Sequence, residues 1–293
     1  MLELKIKKFI IYNLLFTIIF FVTKQAMAQC ESNYSALVFN KKNQQILFEN
    51  RAEEIIYPAS LTKIMTLYLV FEALEQHKIK LQQQITISAN AEDVAKINKI
   101  NTLNLKEGDK IIVAKAIAGT AVKSFNETAV ALAETVADSE WQFVQMMNKK
   151  AVQLKMMHTN FRNASGLHED GQYTTNYDLA RLVIALEKKF PQYRHFFSQK
   201  EFEFNGEKYI THNRVLLEYK GANGFKTGFT TPAGFNLIAS AKRSNVDLVS
   251  ILTGCESYQK RDEFTKFLMD VGFAENRSEA ALNKKEIVAA IGK

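Results

Sequence analysis

The chain has 293 residues, of which 47% are hydrophobic, and a formal net charge of +7 at pH 7. This hydrophobic fraction predicts a globular protein with a substantial core, and the 3 prolines and 12 glycines exclude long disordered linkers. The positive charge is not concentrated in a dense Lys/Arg block, so the composition excludes an obvious nucleic-acid-binding protein.

The N-terminal segment has the pattern of a secretory signal peptide. Lysines precede an apolar run at residues 9–22, and an Ala-x-Ala motif follows at residues 26–28. We therefore expect residues 1–28 to be removed on export, which would place the mature protein in the periplasm or cell envelope. The alternative is an uncleaved membrane anchor, for which the apolar run is short.

The cysteines of the chain, Cys30 and Cys255, lie just before the first predicted strand and just after the last one. Export permits a disulfide, and the two residues meet if these strands are antiparallel neighbours. Two alternatives remain open. One is lipidation of Cys30, which the bulky Gln29 disfavours, and the other is a pair of free thiols.

The hydrophobic pattern predicts strands first, then many helices, then strands and a last helix. Strands at 34–40 and 45–50 form a hairpin, a long helix starts near residue 60, and residues 76–110 are polar and mixed. The remaining predictions are helices at 113–122, 127–136, 139–157 and 177–188, a short hairpin at 202–210, strands at 224–229, 235–242 and 247–253, and a helix at 258–271. In the helix at 139–157, Trp141 and Val144 are expected to face inward. An N-terminal hairpin can join the C-terminal strands in one antiparallel sheet flanked by helices, which is an α+β fold.

Ser60 and Lys63 stand at the start of the long predicted helix. Residues three positions apart share one side of a helix, so this spacing sets a hydroxyl beside an amine. The N-terminal end of a helix favours a developing negative charge. These are the parts of a covalent acyl-transfer site. On its own, the pair also fits an N-cap serine followed by a solvated lysine.

Two further motifs stand at the ends of predicted elements. Ser124-Phe125-Asn126 lies in a loop between helices, and Lys226-Thr227-Gly228 lies on a strand. Ser-x-x-Lys, Ser-x-Asn and Lys-Thr-Gly occur together in penicillin-binding proteins and class A β-lactamases. With its flanking residues 57–66, 124–134, 173–175 and 224–230, the chain closely resembles the D-alanyl-D-alanine carboxypeptidases, the low-molecular-mass penicillin-binding proteins of the bacterial cell wall. The resemblance covers about residues 32–272.

This resemblance implies a β-lactamase/transpeptidase-like fold, with an antiparallel sheet flanked by helices and a mainly helical subdomain. It also implies a serine hydrolase that removes the terminal D-alanine from peptidoglycan stem peptides and is acylated by β-lactams. Lys63 would be the base, kept neutral by burial and by the charge of Lys226. The expected catalytic residues are Ser60, Lys63 and Ser124, and the expected substrate-binding residues are Asn126, Lys226, Thr227, Gly228 and Phe229.

The sequence departs from the family pattern at two positions in the second motif. Phe125 replaces a small residue, and it either narrows the cleft or points into the core. Glu127 stands where aspartate is frequent, and we expect it to be a helix-start charge and nothing more.

A third departure concerns the C-terminal part, because many members of the family carry a second β-rich domain and an amphipathic membrane anchor. Here we expect residues 29–273 to form the catalytic domain and residues 274–293 to form a tail without a second β-rich domain. The tail does not indicate a membrane anchor, so membrane association is left open. No cofactor, metal or nucleic acid is implied. His168-Glu169 is the nearest approach to a metal-ligand pair, and its spacing does not suggest a site.

Three rival functions remain. A β-lactamase or a D,D-endopeptidase can be built on the same fold, and a non-catalytic wall-binding protein could retain it. Fast β-lactam hydrolysis of the class A type needs a loop glutamate that activates water. Glu169 lies in the corresponding region, but its surroundings do not suggest that role. Intact Ser60 and Lys63 argue against a non-catalytic protein.

Overall fold

The structure is a computed structural model, and it describes residue 30, residues 33–97 and residues 102–275. The predicted signal peptide and residues 276–293 of the predicted tail lie outside the described residues. Within the described ranges, no helix combines the length and apolar character needed to cross a membrane.

Strands near both ends of the chain enclose a central run of helices. In chain order, the first half contains β1 (Ser35–Asn40), β2 (Ile46–Asn50), a 3₁₀ helix (Ala59–Thr62), α1 (Lys63–Glu75), β3 (Gln84–Thr86), α2 (Ala89–Ile97), β4 (Lys110–Ile112), α3 (Val113–Val122), α4 (Asn126–Ala137) and α5 (Glu140–Gln153). The second half contains α6 (Asn176–Lys189), a 3₁₀ helix (Pro191–Phe197), β5 (Glu201–Phe204), β6 (Glu207–Ile210), α7 (Arg214–Glu218), β7 (Ala222–Thr230), β8 (Gly234–Arg243), β9 (Val246–Cys255) and α8 (Tyr258–Glu275). This order confirms the predicted α+β arrangement.

A five-stranded sheet with the order β2-β1-β9-β8-β7 organises the fold. Each neighbouring pair is antiparallel, and β1 pairs with β9 from Ser35 opposite Thr253 to Asn40 opposite Leu248. The N-terminal hairpin therefore joins the C-terminal strands as predicted. Strand β7, which carries the Lys-Thr-Gly motif, is left at an edge.

The two faces of the sheet bury different sets of side chains, because successive residues of a strand point to opposite sides. On β1, Leu37 and Phe39 pack into a large core shared with most of the helices, whereas Ala36 and Val38 pack into a smaller core under α8. The sheet is thus a layer between the helical subdomain and the last helix.

Helix α1 is surrounded by other elements on nearly every side. We expected it to bury one face, but among its residues only Glu72 and Glu75 escape full burial. The helix runs between the sheet and the helical subdomain. Its position therefore requires apolar residues on all of its sides. The Ser-x-x-Lys motif at its start is consequently placed in the interior of the protein.

Two other expectations differ from the structure. The polar segment 76–110 contains β3, α2 and β4, whose strands are too short to give a periodic signal. Helix α5 ends at Gln153 rather than near residue 157, and Trp141 in its first turn is 71% exposed rather than inward-facing. The predicted N-cap of this helix is confirmed, since Ser139 accepts a hydrogen bond from the Gln142 amide.

A disulfide joins Cys30 to Cys255, with a Cα–Cα distance of 5.4 Å. Cys255 is the last residue of β9, and Cys30 precedes β1, so the antiparallel pairing of these strands brings the two sulfurs together. Both cysteines are buried in the smaller core. The two cysteines are 225 residues apart in sequence, so the bond closes a loop that starts before β1 and ends with β9.

Removing this bond should destabilise the protein without altering its fold. We expect Cys30→Ser/Cys255→Ser to lower the free energy of unfolding by up to about 5 kcal/mol, because a long loop is no longer closed in the unfolded chain. Urea denaturation followed by circular dichroism measures the change. Equal stability of this variant and the unreduced wild type, or two free thiols in the denatured unreduced wild type, would contradict the prediction.

Candidate active site

The Ser60 hydroxyl is carried by a tight turn ahead of the central helix. Residues Ala59–Thr62 form a 3₁₀ helix, and α1 begins only at Lys63. Ala59 has a φ of 47°, which is uncommon for a non-glycine residue. Gly166 packs so closely that a Cβ there would lie 2.0 Å from the Ala59 carbonyl oxygen. The loop at 163–167 therefore packs directly against the turn.

Lys63 is completely buried beside Ser60, and its amine contacts three oxygens. Its Nζ lies 3.1 Å from Ser60 Oγ and 2.8 Å from Asn126 Oδ1, and it also donates to the Ser165 carbonyl. Burial lowers the pKa of Lys63 to about 7, while the carboxylates of Glu127 and Glu140 oppose that shift. Burial, rather than the charge of Lys226, is thus the principal cause of the lowered pKa.

The contacts of Lys63 orient its amine in the neutral state. The Asn126 and Ser165 oxygens are carbonyl acceptors, so each takes an N–H of the amine. The remaining position of the nitrogen faces Ser60 Oγ. In the neutral amine that position can hold the lone pair, which can then accept the Ser60 proton.

Phe125 points away from the cleft and into the core. It is 1% exposed and packs edge-on against Phe202 and Tyr209. Its ring lies against Gly119, where a Cβ would come within 3.0 Å of Phe125 Cδ2. The side chains before and after it, those of Ser124 and Asn126, line the cleft. Of the two alternatives for Phe125, the structure therefore has the one in which the ring points into the core and does not narrow the cleft.

Lys226 is a second fully buried amine, contributed by the edge strand β7. Its Nζ donates to Ser124 Oγ at 2.8 Å and to the Thr227 carbonyl at 2.9 Å. Burial lowers the pKa of Lys226 well below its ordinary value, and the charges of Lys63 and Arg261 lower it further. The two motif lysines thus each hold one motif serine.

Gly228 allows β7 to lie against the Ser60 turn. A Cβ at this position would come within 3.1 Å of the Ser60 nitrogen and 3.2 Å of the Pro58 oxygen. Any side chain there would push the strand away from the turn. The glycine of the third motif is therefore needed for close approach of two backbones.

These elements enclose a cleft of about 480 Å³. Six of the eight predicted site residues line it, and the other two, Lys63 and Lys226, lie buried behind it and bond to its serines. The six lining residues are Ser60, Ser124, Asn126, Thr227, Gly228 and Phe229. Motifs that are far apart in sequence are thus brought to one place.

The cleft also has basic residues that the sequence did not single out. Arg214 and Arg261 line it together with His212. Arg261 is 4% exposed and donates to Asp262, its neighbour in α8. Burial lowers the pKa of His212 to about 4, and the charges of Lys123, Lys226 and Arg261 add to this shift. This end of the cleft is electropositive and suited to an anion.

Asn236 ties the Ser60 turn to the sheet, and no motif pointed to it. The side chain is fully buried on β8. Its Nδ2 donates to the carbonyls of Tyr57 at 3.1 Å and Pro58 at 3.3 Å, and its Oδ1 accepts from the Gly254 amide at 2.9 Å. It therefore links the turn to the irregular pairing between β8 and β9.

Glu127 is a helix-start charge, as we expected, but its burial gives it more than that role. It begins α4 beside Asn126, yet its exposure is 0%. Its Oε1 accepts from Thr102 Oγ1 and from the Leu103 amide. The covering segment at 102–103 is far away in sequence, so the pattern around Glu127 could not reveal its burial.

The His168-Glu169 pair makes contacts of a different kind. The His168 ring lies edge-on to Tyr57, with centroids 5.1 Å apart. The Glu169 carboxylate faces Arg162 at 3.4 Å and accepts from Asn163 Nδ2 at 3.2 Å. Neither residue is among those that line the cleft.

One known protein family matches most of this chain. The model of the peptidase S11 family, described as D-alanyl-D-alanine carboxypeptidase, matches residues 22–257. The chain belongs to the D-alanyl-D-alanine carboxypeptidase family. The predicted family is thereby confirmed.

Individual relatives of this carboxypeptidase family agree in sequence and in fold. The chain is 30% identical over 261 residues to the carboxypeptidase DacF of Bacillus subtilis, and 36% identical over 232 residues to DacC of Escherichia coli. These alignments cover 88% and 78% of this chain but only 66% and 58% of the relatives' lengths. Penicillin-binding protein D2 of Listeria monocytogenes superimposes with a TM-score of 0.72 at 29% identity, over 82% of this chain and 96% of that one. The predicted penicillin-binding-protein fold is confirmed.

Replacing Asn236 should loosen the Ser60 turn. We expect Asn236→Ala to cost about 1–3 kcal/mol of stability, because the buried amide and carbonyls it contacts lose their partner. Hydrogen exchange followed by mass spectrometry should show faster exchange of the 59–62 amides. Asn50→Ala is the matched control, since Asn50 donates to the Tyr34 carbonyl on the far strands. If the 59–62 amides of Asn236→Ala exchange at the wild-type rate, Asn236 does not stabilise the Ser60 turn.

Proposed function

We propose that the protein is a serine D,D-carboxypeptidase that removes the terminal D-alanine from peptidoglycan stem peptides and is acylated by β-lactams. The observation that carries the proposal is the buried Lys63 amine, 3.1 Å from Ser60 Oγ in a cleft that also holds Ser124 and Asn126. Membership of the family supports the substrate. The Listeria protein crystallised in an ampicillin-bound form supports the binding of β-lactams.

In the first step, Ser60 Oγ attacks the carbonyl carbon between the two D-alanines. Neutral Lys63 accepts the hydroxyl proton through its lone pair, because its N–H groups are held by Asn126 and Ser165. The developing oxyanion is bound by the N–H groups of Ser60 and Phe229, which lie on either side of the close contact made by Gly228.

Departure of D-alanine needs a proton on its nitrogen. Ser124 is placed to relay that proton, because it lines the cleft and its Oγ accepts from the Lys226 amine. The proton that Lys63 took from Ser60 passes through Ser124 to this nitrogen, and the C–N bond breaks. The acyl group remains on Ser60 as an ester, and Lys63 is neutral again. Water then attacks the ester with Lys63 again as base, which releases the shortened peptide and restores the serine.

The free carboxylate of the substrate has cationic partners at one end of the cleft. Lys226 and Arg261 supply the charge, and Thr227 supplies a hydroxyl donor. An arriving carboxylate stabilises the protonated form of Lys226, whose pKa burial has lowered. Such a site favours substrates that end in a free carboxylate, which is the requirement of a carboxypeptidase.

No observation favours the rival functions. The loop glutamate Glu169 faces Arg162 and Asn163 instead of the cleft, so it is not placed to activate water for rapid β-lactam hydrolysis. The basic end of the cleft suits a terminal carboxylate better than the continued chain that an endopeptidase cleaves. A wall-binding protein would not need the buried amine beside Ser60.

The proposed substrate also implies where the protein works. Peptidoglycan stem peptides lie outside the cytoplasmic membrane, so we propose a periplasmic or cell-envelope protein. The pattern of a signal peptide at residues 1–28 supports this location. The proposed catalytic domain spans residues 29–273. The six predicted residues that line the cleft, together with Lys63 and Lys226, act within it.

Ser60→Ala should abolish both proposed reactions, because it removes the nucleophile. We expect the wild type to be labelled covalently by a fluorescent penicillin and to release D-alanine from a diacyl-Lys-D-Ala-D-Ala peptide. Gel fluorescence and a coupled D-alanine assay measure the two outcomes. The variant should show neither, with an unchanged thermal melting curve.

The same assay separates the alternatives. Stable labelling with D-alanine release supports the carboxypeptidase. Label that turns over many times per minute would instead indicate a β-lactamase. A folded wild type that is neither labelled nor releases D-alanine would contradict the proposal.

The acylation rate should rise with pH as Lys63 loses its proton. The lowered pKa of Lys63, about 7, means that the amine is mostly neutral above that pH and mostly protonated below it. We therefore expect kcat/KM to fall on the acid side with a midpoint near the same value. Lys63→Arg should be inactive at every pH, since a guanidinium cannot serve as the base. A pH-independent rate between pH 5 and 9 would contradict this role.

A further inference from the structure

Glu127 is a buried carboxylate at the back of the site whose role remains unassigned. It follows Asn126 directly, in the first turn of α4, and is completely buried. The proposed reaction sequence does not use it. A buried carboxylate is costly unless nearby groups compensate its charge, so its partners indicate what it does.

The two oxygens of Glu127 have different surroundings. Oε1 accepts from Thr102 Oγ1 at 2.7 Å and from the Leu103 amide at 2.5 Å, which fastens that segment over α4. Oε2 is buried without a hydrogen-bond partner in the described part of the chain. One oxygen thus fastens the segment at 102–103, and the other has no hydrogen-bond partner among the described residues.

Lys63 is the buried amine close to Glu127, because Asn126, the residue before Glu127, accepts from Lys63 Nζ at 2.8 Å. Burial lowers the pKa of Lys63 and raises the pKa of Glu127, and the charge of each group counters the shift of the other. Glu127 also raises the pKa of Tyr209, which packs nearby on β6, although Glu207 has the larger effect there.

Other charged groups face Lys63 from neighbouring elements. Glu140, at the start of α5, also favours its ammonium form. Both oxygens of Glu140 already accept hydrogen bonds, from the Ala164 amide and from Asn90 Nδ2, and the residue is half-buried. On β7, the charge of Lys63 adds to the burial that lowers the pKa of Lys226, so Lys226 supplies no anion to Lys63. Glu127 is therefore the fully buried anion available to Lys63.

We propose that Glu127 is the buried countercharge of Lys63 and a positioning residue for activation of Ser60, acting through Lys63 without contacting the substrate. The inference rests on the proposed function. When Lys63 takes the Ser60 proton, a positive charge forms on a fully buried amine, and the Glu127 carboxylate stabilises it. Without this anion, burial would make the amine too weak a base to receive the proton.

The alternative role for Glu127 is only to fasten the segment at 102–103. Glu127→Gln distinguishes the two roles, because its amide oxygen still accepts from Thr102 and Leu103 while the negative charge is removed. A structural role predicts lower stability with an unchanged pH profile. A countercharge role predicts a changed pH profile.

The test measures the acylation rate of the full chain by a fluorescent penicillin between pH 5 and 9. In Glu127→Gln, we expect the acid-side midpoint to move to lower pH by about 0.5–1 unit, because the Lys63 ammonium loses its stabilising anion. The maximal rate should fall about tenfold, because a less basic amine is a weaker proton acceptor. Glu127→Asp keeps the charge and should restore most of the wild-type profile.

Glu134→Gln is the matched control on the same helix. Glu134 accepts from Ser88 and Asn90 and has no part in the site, so its variant should keep the wild-type midpoint. If Glu127→Gln does not fold, Glu127→Met/Thr102→Val repeats the test, because the second change removes the buried hydroxyl that would lose its acceptor. If the acid-side midpoint of the acylation rate is the same in the folded Glu127 variant as in the wild type, the proposal is overturned.

A second readout separates this inference from the proposed function. Lysine side-chain NMR of the protein, with the Lys63 signal assigned from Lys63→Arg, titrates the amine without any substrate. A lower Lys63 midpoint in Glu127→Gln supports the countercharge even if the wild type is not labelled by penicillin, a result that would count only against the proposed function. An identical Lys63 midpoint in the two proteins overturns the countercharge.

Discussion

The site depends on the burial of two amines that would be hydrated in any open structure. Lys63 and Lys226 are both fully enclosed, and enclosure makes their charged forms costly. Each amine therefore needs oxygen partners supplied by the fold. Lys63 receives them from the Ser60 turn, from Asn126 and from the 163–167 loop, whereas Lys226 receives them from Ser124 and its own strand. The fold has to close around both lysines before either can work.

Much of this arrangement follows from local sequence. Apolar runs between turn residues and helical periodicity predicted the terminal hairpin, the last three strands and most helices, because these segments are long and regular enough to give a signal. The three motifs predicted the serines and lysines, since their order and flanking residues resemble those of one family. The predicted disulfide followed from the same strand order, because β1 and β9 end side by side.

The remaining features are set by contacts between distant segments, which no local pattern records. Asn236 matters through partners that the fold brings to it, and Arg261 through the place that the fold gives it in the cleft. Glu127 was expected to be only a helix-start charge, because nothing near it in sequence shows that residues 102–103 cover it. Phe125 could be placed only once Phe202 and Tyr209 were seen to enclose its ring, because a lone phenylalanine fits a cleft wall and a core equally well.

The pairing of β1 with β9 has a consequence for how the protein is made. A nascent chain contains all of the catalytic motifs once Lys226-Thr227-Gly228 has been synthesised. At that stage β1 can pair only with β2, because its other neighbour, Val246–Cys255, is still missing. The pairing of β1 with β9 must therefore wait for synthesis of the last strand and for closure of a long loop. The nascent chain thus contains all three motifs before the complete sheet can form.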